Sequence, residues 1–182
     1  MKKFLLILLL ITPIKEVLAA VKDNIIKNLQ DINNVSFNFE QNINGKTENG
    51  RCVIEYPKKI FCKYNLSNQK ILVSNSKSLV IKTITSYYFY PLEKTPLNLI
   101  LDKEFLINKI NILNERIVDD KFINYNFSED DNEINIFFNK INYDLIGWQT
   151  LDIYQNLSIT YLSSIIKNKE LNKNLFLLPK QN

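Results

Sequence analysis

Histidine is absent from this chain of 182 residues, and glycine occurs only three times. Without histidine, Ser-His-Asp and Cys-His catalysis and histidine-ligated zinc are excluded, and the side chain that most often moves protons near neutral pH is missing. The few glycines form no phosphate-binding loop. We therefore expect no metal and no cofactor, and we do not expect an enzyme.

Charge of one sign is also lacking, since 23 Lys and Arg face 19 Asp and Glu, a formal net charge of +4. The basic residues form no dense run, so nucleic-acid binding is not expected. The acidic cluster Glu129-Asp130-Asp131 lacks the ligand spacing of a calcium loop, and we interpret it as a solvated hairpin turn.

The apolar run near the N-terminus, residues 4–11, is too short to span a bilayer, which takes about 20 residues. The pair Lys2-Lys3 precedes it, and small residues at 17–19 follow it. This order is typical of a secretory signal peptide over residues 1–19, with cleavage that leaves Ala20 first. An uncleaved membrane anchor is the alternative. We expect the mature chain in an exported, oxidising space.

The remaining sequence predicts one α+β domain over residues 20–182, without a linker or repeat. Apolar residues at helical spacing predict an amphipathic helix over 21–33. Alternating or apolar stretches predict strands at 35–43, 49–56, 60–66, 69–75, 78–84, 86–90, 110–117, 121–128, 133–140, 148–155, 158–167 and 175–179. A twisted antiparallel sheet of about eleven strands curls toward a barrel, so we predict an unclosed antiparallel β-barrel.

A short helix is predicted to begin after Thr95-Pro96, because Thr is a good N-cap and Pro fits the first helical turn. The segment is apolar on nearly all sides and must be buried on something. We expect it to form a lid over the apolar concave face of the sheet, with residues Thr95, Pro96, Leu97, Leu99 and Ile100.

Strand alternation, clearest over residues 50–82, brings apolar and aromatic side chains to one face of the sheet. They are either ordinary core or the lining of a cavity for an apolar ligand. We find no convincing carboxylate pair on this face, which argues against a hydrolase that uses only Glu and Asp. The predicted cavity residues are Phe37, Phe39, Ile54, Tyr56, Ile60, Cys62, Tyr64, Leu72, Val80, Tyr88 and Tyr90.

The two cysteines, Cys52 and Cys62, flank a turn near residues 57–58. An antiparallel hairpin with that turn pairs positions whose numbers sum to about 114, which places the two thiols opposite each other on one face. A disulfide there would stabilise the fold by about 3 kcal/mol in the chain-entropy model. Two reduced, buried thiols that act as small apolar groups are the alternative.

Three motifs carry a resemblance: Tyr-Pro-Lys-Lys at 56–59, Ile-Leu-Val-Ser-Asn at 71–75 and Thr-Pro-Leu at 95–97. Together with the helix near residue 21 and the Val-Ser-Phe-Asn-Phe-Glu-Gln strand at 35–41, they resemble the LolA family of periplasmic lipoprotein carriers. The resemblance implies an unclosed β-barrel with a helical lid and a monomer in the periplasm.

The resemblance also implies a route. The chain would collect outer-membrane-directed lipoproteins from an inner-membrane ATP-binding-cassette complex and deliver them to an outer-membrane acceptor. The alternative is a periplasmic binding module of the same fold for another lipid or a hydrophobic peptide.

Two positions depart from the family pattern. Family members often carry Arg before the hairpin proline, where this chain has Tyr56, and that Arg bonds lid carbonyls and closes the empty cavity. A tyrosine hydroxyl has far fewer donors than a guanidinium group, so we expect the lid to close either more weakly or in a different way here. Cys62 also stands where the family commonly has an aromatic residue.

Overall fold

The computed structural model describes residues 14–129, 132–151 and 155–181. Most of the predicted signal peptide lies outside the described residues, and its cleavage stays a prediction. Within the described ranges, no helix is long and apolar enough to cross a membrane.

Eleven antiparallel strands form one sheet that does not close, which confirms the predicted fold. The strands are β1 Asn34–Ile43, β2 Lys46–Glu55, β3 Lys59–Tyr64, β4 Ile71–Asn75, β5 Ser78–Lys82, β6 Tyr87–Pro91, β7 Arg116–Val118, β8 Phe122–Glu129, β9 Asn132–Asn139, β10 Leu145–Leu151 and β11 Leu157–Lys167.

The sheet consists of two meanders that meet where β1 pairs with β11. Its strand order is β6-β5-β4-β3-β2-β1-β11-β10-β9-β8-β7, so β6 and β7 are the free edges. The chain crosses between these edges through helices, which therefore lie over the concave face. The helical elements are α1 Ile14–Gln30, a 3-10 turn Leu92–Lys94, α2 Leu97–Ile100 and α3 Lys103–Ile112.

Helices α1 and α3 lie antiparallel and cap each other. Lys22, in the middle of α1, donates to the carbonyls of Asn111 and Leu113 at the end of α3, at 3.3 and 2.8 Å. Lys103, at the start of α3, donates to the carbonyls of Gln30 and Ile32 at 3.2 and 2.9 Å. Each ammonium group thus satisfies carbonyls that the helix end leaves without an intrahelical partner.

Both helices bury an apolar face in the concavity of the sheet. Ile25 and Leu29 of α1 and Leu106 and Ile110 of α3 are all buried in the same core as the inward residues of the strands. This packing fills one end of the open barrel. The amphipathic helix predicted over 21–33 is present, and it begins earlier, at Ile14.

The predicted strand over 110–117 is wrong in its first half, because α3 continues to Ile112 and β7 starts only at Arg116. Asp102 sets the start of this helix, since its carboxylate accepts a hydrogen bond from the backbone N–H of Phe105 at 3.1 Å. An N-cap of this kind favours helix over strand for the residues that follow.

The C-terminal segment, residues 168–181, is not the strand predicted at 175–179 but a strap over the convex face. The Asn168 N–H donates to the carbonyl of Asn34 at 2.8 Å, and Lys82 Nζ donates to the carbonyl of Lys180 at 2.8 Å. Between these anchors Phe176 is buried, with Lys59 Nζ 5.8 Å from its ring centroid. The strap therefore covers apolar side chains that would otherwise face water.

Phe176→Ala is expected to lower the free energy of unfolding by about 3 kcal/mol, because it removes a buried ring and leaves a cavity. Urea unfolding followed by circular dichroism measures the change. Leu177→Ala is the matched control, since its side chain is 67% exposed. Equal stability of the two variants would mean that the strap contributes nothing to the fold.

Candidate ligand cavity

A cavity of about 500 Å³ lies between the concave face of the sheet and the lid. Strands β1 to β6, β10 and β11 supply its walls, and the chain before and within α2 supplies its cover. Its apolar and aromatic lining residues are Phe39, Ile43, Cys52, Ile60, Cys62, Tyr64, Leu72, Leu79, Ile81, Tyr88, Tyr90, Pro96, Leu97, Trp148 and Leu151.

Seven of the predicted cavity residues line this space, and so do three of the predicted lid residues. They are Phe39, Ile60, Cys62, Tyr64, Leu72, Tyr88 and Tyr90, with Thr95, Pro96 and Leu97 from the lid. Strand parity predicted the seven wall residues correctly, because inward residues of neighbouring strands pair with each other, as Cys62 does with Leu72.

Three more predicted residues lie on the correct face but at the filled end of the barrel. Ile54 and Tyr56 pack beneath α1 with Leu29, where the remaining space is only about 20 Å³. Phe37 packs edge-to-face on Trp148, with ring centroids 6.4 Å apart. Of the other two lid residues, Ile100 belongs to the hydrophobic core and Leu99 packs against that core.

Val80 is on the wrong face for the cavity, and that prediction is corrected. It pairs with Val73 in the β4–β5 ladder, while its neighbours Leu79 and Ile81 line the cavity. Val80 is fully buried on the opposite face. The sequence here is apolar at all three positions, so alternation could not say which of them point inward.

Thr95 also differs from its predicted role as an N-cap. Its buried hydroxyl donates to the carbonyl of Leu92 at 2.8 Å, and Pro96 occupies the N-cap position of α2. The hydroxyl therefore joins the lid to the 3-10 turn before it.

Cys52 and Cys62 lie directly opposite each other in the β2–β3 ladder and are joined by a disulfide. Their Cα atoms are 4.1 Å apart, and both residues face the cavity. The register that the sequence arithmetic predicted is the one observed. The cross-link therefore sits in the apolar floor of the site.

Protein isolated from the periplasm is expected to contain no free thiol, because Cys52 and Cys62 lie directly opposite each other in the β2–β3 ladder and an oxidising space favours the disulfide. Alkylation without reductant, followed by intact-mass analysis, measures this. The Cys52→Ala/Cys62→Ala double variant is expected to lose about 3 kcal/mol of stability through greater freedom of the unfolded chain. Two alkylated cysteines in the native protein would contradict the first expectation, and unchanged stability of the variant the second.

The hairpin between β2 and β3 is tied to the lid through Lys58. Its backbone N–H donates to the carbonyl of Leu101 at 2.9 Å, and its ammonium group lies 3.1 Å from the Asp102 carboxylate. Ser74 Oγ in turn donates to the carbonyl of Lys58 at 2.9 Å. Thus Lys58, two positions after Tyr56, joins the hairpin to the junction between α2 and α3.

Tyr56 itself acts as an apolar residue. Burial raises the pKa of its phenol to about 12, so the hydroxyl is neutral at physiological pH. The Lys103 ammonium group lies 5.9 Å from the Tyr56 ring centroid, which is within cation–π range. Tyr56 therefore packs the filled end while Lys58 provides the polar link.

Lys58→Met is expected to loosen the lid, because it removes the ion pair with Asp102 and keeps the side-chain length. The pair is about a third exposed, so the loss of stability should stay below about 1 kcal/mol. Fluorescence of an apolar dye such as 1-N-phenylnaphthylamine should rise as the cavity opens. Lys63→Met, at an exposed position on β3, is the control. Dye binding that is identical in the two variants would show that Lys58 does not hold the lid.

Polar residues of the lining were missed by the sequence reading, and they cluster at one end of the cavity. Glu48 is buried and pairs with the Lys70 ammonium group at 2.5 Å. Gln41 lies opposite Glu48 in the β1–β2 ladder. Glu48 has the same strand parity as Cys52, so alternation could have identified it as inward-facing. The predicted strand began at residue 49, however, and therefore left Glu48 out, whereas β2 begins at Lys46.

Tyr64 joins this group through its hydroxyl, which donates to Gln41 Oε1 at 3.5 Å. Burial raises the pKa of its phenol, and the negative charge of Glu48 raises it further. The Lys70 ammonium group lies 4.1 Å from the Tyr64 ring centroid. Tyr64 is therefore a neutral phenol with an apolar ring on the cavity side and a polar tip toward the charged pair.

An unclosed antiparallel barrel with a helix-covered apolar cavity defines a class of binding folds for hydrophobic ligands. Within that class the chain belongs to the LolA family: the family model described as outer membrane lipoprotein carrier protein LolA matches residues 30–178. No curated protein matches the chain.

Solved structures resemble this chain at low sequence identity. MucB has a TM-score of 0.50 at 8% identity, over 92% of this chain and 65% of MucB. The Mycobacterium tuberculosis lipoprotein LppX has a TM-score of 0.46 at 10% identity, over 87% of this chain and 98% of LppX. A LolA superfamily protein from Nitrosomonas europaea has a TM-score of 0.40 at 9% identity, over 88% and 97% of the two chains.

Proposed function

We propose that the chain is a periplasmic chaperone that binds the acyl chains of lipoproteins released from the inner membrane and carries them to the outer membrane. The observation that carries the proposal is the lidded apolar cavity of about 500 Å³. Its volume falls in the range of about 300–1,000 Å³ that is usual for ligand sites. Most of the residues that line it are aliphatic or aromatic, as acyl chains require.

The energetics fit such a carrier. Burial of an acyl chain is favourable by about 0.8 kcal/mol per methylene, so a long chain represents roughly 10 kcal/mol. A carrier must offer an apolar surface of similar value and must hide it when empty, since large exposed apolar patches promote aggregation. Pro96 and Leu97 line the cavity from the lid side, which suits a cover that moves when ligand enters.

The proposed partners follow from this role. They are outer-membrane-directed lipoproteins as cargo, an inner-membrane ATP-binding-cassette complex as the donor and an outer-membrane acceptor, with the carrier acting as a monomer in the periplasm. Family membership supports this route. A role as an enzyme is not part of the proposal, because the residues that line the cavity serve to bind.

A binding module for another lipid or a hydrophobic peptide is the second candidate. The observation that favours it is the Glu48–Lys70 pair at one end of the cavity, since a free lipid also brings a polar group to such a position. Mass spectrometry of what remains bound after isolation from the periplasm separates the two candidates. A retained triacylated lipoprotein supports the carrier, and a free lipid alone supports the module.

Leu72→Glu is expected to reduce lipoprotein uptake from inner-membrane vesicles at least tenfold. Leu72 lies in the cavity wall. An unpaired carboxylate among acyl chains costs at least ~2 kcal/mol of binding free energy, which is more than a tenfold change in affinity. Circular dichroism should show that the fold persists. Lys63→Glu, which changes charge on the exposed face, should leave uptake unchanged. Equal uptake by both variants would refute the assignment of this cavity as the cargo site.

A further inference from the structure

The concave face changes from apolar to polar along the strands. In β1 the inward residues run from Val35 and Phe37 at the filled end to Gln41 in the cavity, and the apolar Ile43 follows at the strand end. In β11 they run from Leu162 to Thr160 and Ser158. The cavity therefore has an apolar inner part, which contains the disulfide, and a polar part farther out, which Ile43 borders. We call Gln41, Glu48, Lys70, Ser158 and Thr160 the polar band.

Solvation alone does not explain the polar band, because several of its members are buried. The exposed fractions are 8% for Glu48, 5% for Ser158 and 3% for Thr160. An ion pair that is removed from water contributes little net stability, since desolvation offsets the attraction. The buried Glu48–Lys70 pair thus has no evident role in the stability of the fold, and it faces the space where the ligand would lie.

The hydrogen bonds of the polar band leave hydroxyl donors on residues that line the cavity. Gln41 Nε2 donates to Ser158 Oγ at 3.0 Å and to Thr160 Oγ1 at 3.2 Å. A hydroxyl that accepts a hydrogen bond retains its own proton for donation. Ser158 and Thr160 can therefore donate to carbonyl oxygens of a ligand in the cavity.

The charges of the polar band disfavour an anionic ligand. The Lys70 ammonium group is paired with Glu48 at 2.5 Å, so it cannot fully balance a second anion. The other ammonium group near Glu48, that of Lys46 at 3.9 Å, lies on a side chain that is 79% exposed, and water and salt screen its charge. A phosphate or carboxylate beside these residues would meet the Glu48 carboxylate, and juxtaposed like charges act against the wrong ligand. Ester and amide carbonyls suffer no such repulsion and can accept from the hydroxyls.

We infer that the polar band is a head-group subsite that selects amphiphiles with neutral, carbonyl-rich heads over amphiphiles with anionic heads. Ester and amide groups of the kind found in an N-acylated, diacylglyceryl-modified cysteine have this chemistry. The head group lies against the polar band and the acyl chains point toward the disulfide and the lid. This inference rests on the proposed function, since it assumes acyl chains in the same cavity.

The experiment compares two amphiphiles with the same acyl chain, a neutral monoacylglycerol and the anionic lysophosphatidylglycerol. Each displaces 1-N-phenylnaphthylamine from the protein below its critical micelle concentration. The wild type should bind the monoacylglycerol about tenfold more tightly, which corresponds to one modest like-charge contact. Glu48→Gln leaves Lys70 unbalanced and should reduce this ratio about tenfold, to near one.

Two further variants complete the test. Glu40→Gln makes the same charge change on the exposed face of β1 and should keep the wild-type ratio. Glu48→Gln/Lys70→Gln removes the whole pair without leaving an unpaired buried charge, so it remains informative if Glu48→Gln does not fold. The double variant should also lower the ratio, because the repelling carboxylate is gone.

The outcomes separate this inference from the proposed function. Tight binding of both amphiphiles with the same ratio in the wild type and in the Glu48 variants would overturn the head-group subsite and leave the acyl cavity standing. Failure of the wild type to bind the dye and both amphiphiles would overturn the acyl cavity itself. A ratio that falls only when Glu48 is changed supports the inference.

Discussion

The apolar concave face of an unclosed sheet is the constraint on which the rest of the structure depends. An antiparallel sheet with eleven strands and two free edges curves but leaves its inner face open to water. That face has to be covered, because exposed apolar area on this scale promotes aggregation. The crossover from β6 to β7 meets this need, since it carries the 3-10 turn, α2 and α3 over the concavity. Helix α1, which precedes β1, packs beside α3 and completes the cover. The cavity is the part of the concave face that these helices do not fill.

One set of strands therefore serves two purposes along its length. Near the start of β1 the side chains of Val35 and Ile54 meet α1 and form a close-packed core. Further along the same strands Phe39 and Cys52 face the cavity. The convex face has its own cover, since the strap with Phe176 crosses it. The filled end and the strap bury apolar side chains, and the disulfide cross-links the cavity floor, so the cavity can remain empty without loss of the fold.

Sequence alternation was sufficient for the meander, the open barrel and the Cys52–Cys62 register, because each depends on local period and on turn position. It was insufficient where the signal is degenerate. Val80 sits in an all-apolar run in which alternation has no phase, and the stretch around Ile110 was read as strand although Asp102 caps a helix there. Parity also identifies a face but not how far the helices reach along it. For that reason Ile54 and Tyr56 were assigned to the cavity, whereas Ile54 belongs to the core at the filled end and Tyr56 packs against that core. The polar band was overlooked because the prediction considered only apolar and aromatic residues of the concave face.

The lid is held unevenly along its length, and this difference suits a carrier. Pro96 and Leu97 face the cavity, whereas Ile100, at the other end of α2, is completely buried in the core. Removal of such a side chain from a core costs about 2–5 kcal/mol. The link from Lys58 to the α2–α3 junction adds one backbone hydrogen bond and a partly exposed ion pair, and exposed pairs contribute at most about 1 kcal/mol. An entering acyl chain, with roughly 10 kcal/mol available, can displace Pro96 and Leu97 far more readily than the buried end of the lid. Movement on ligand entry is thus expected at the start of the lid, with Ile100, α3 and α1 as the fixed frame.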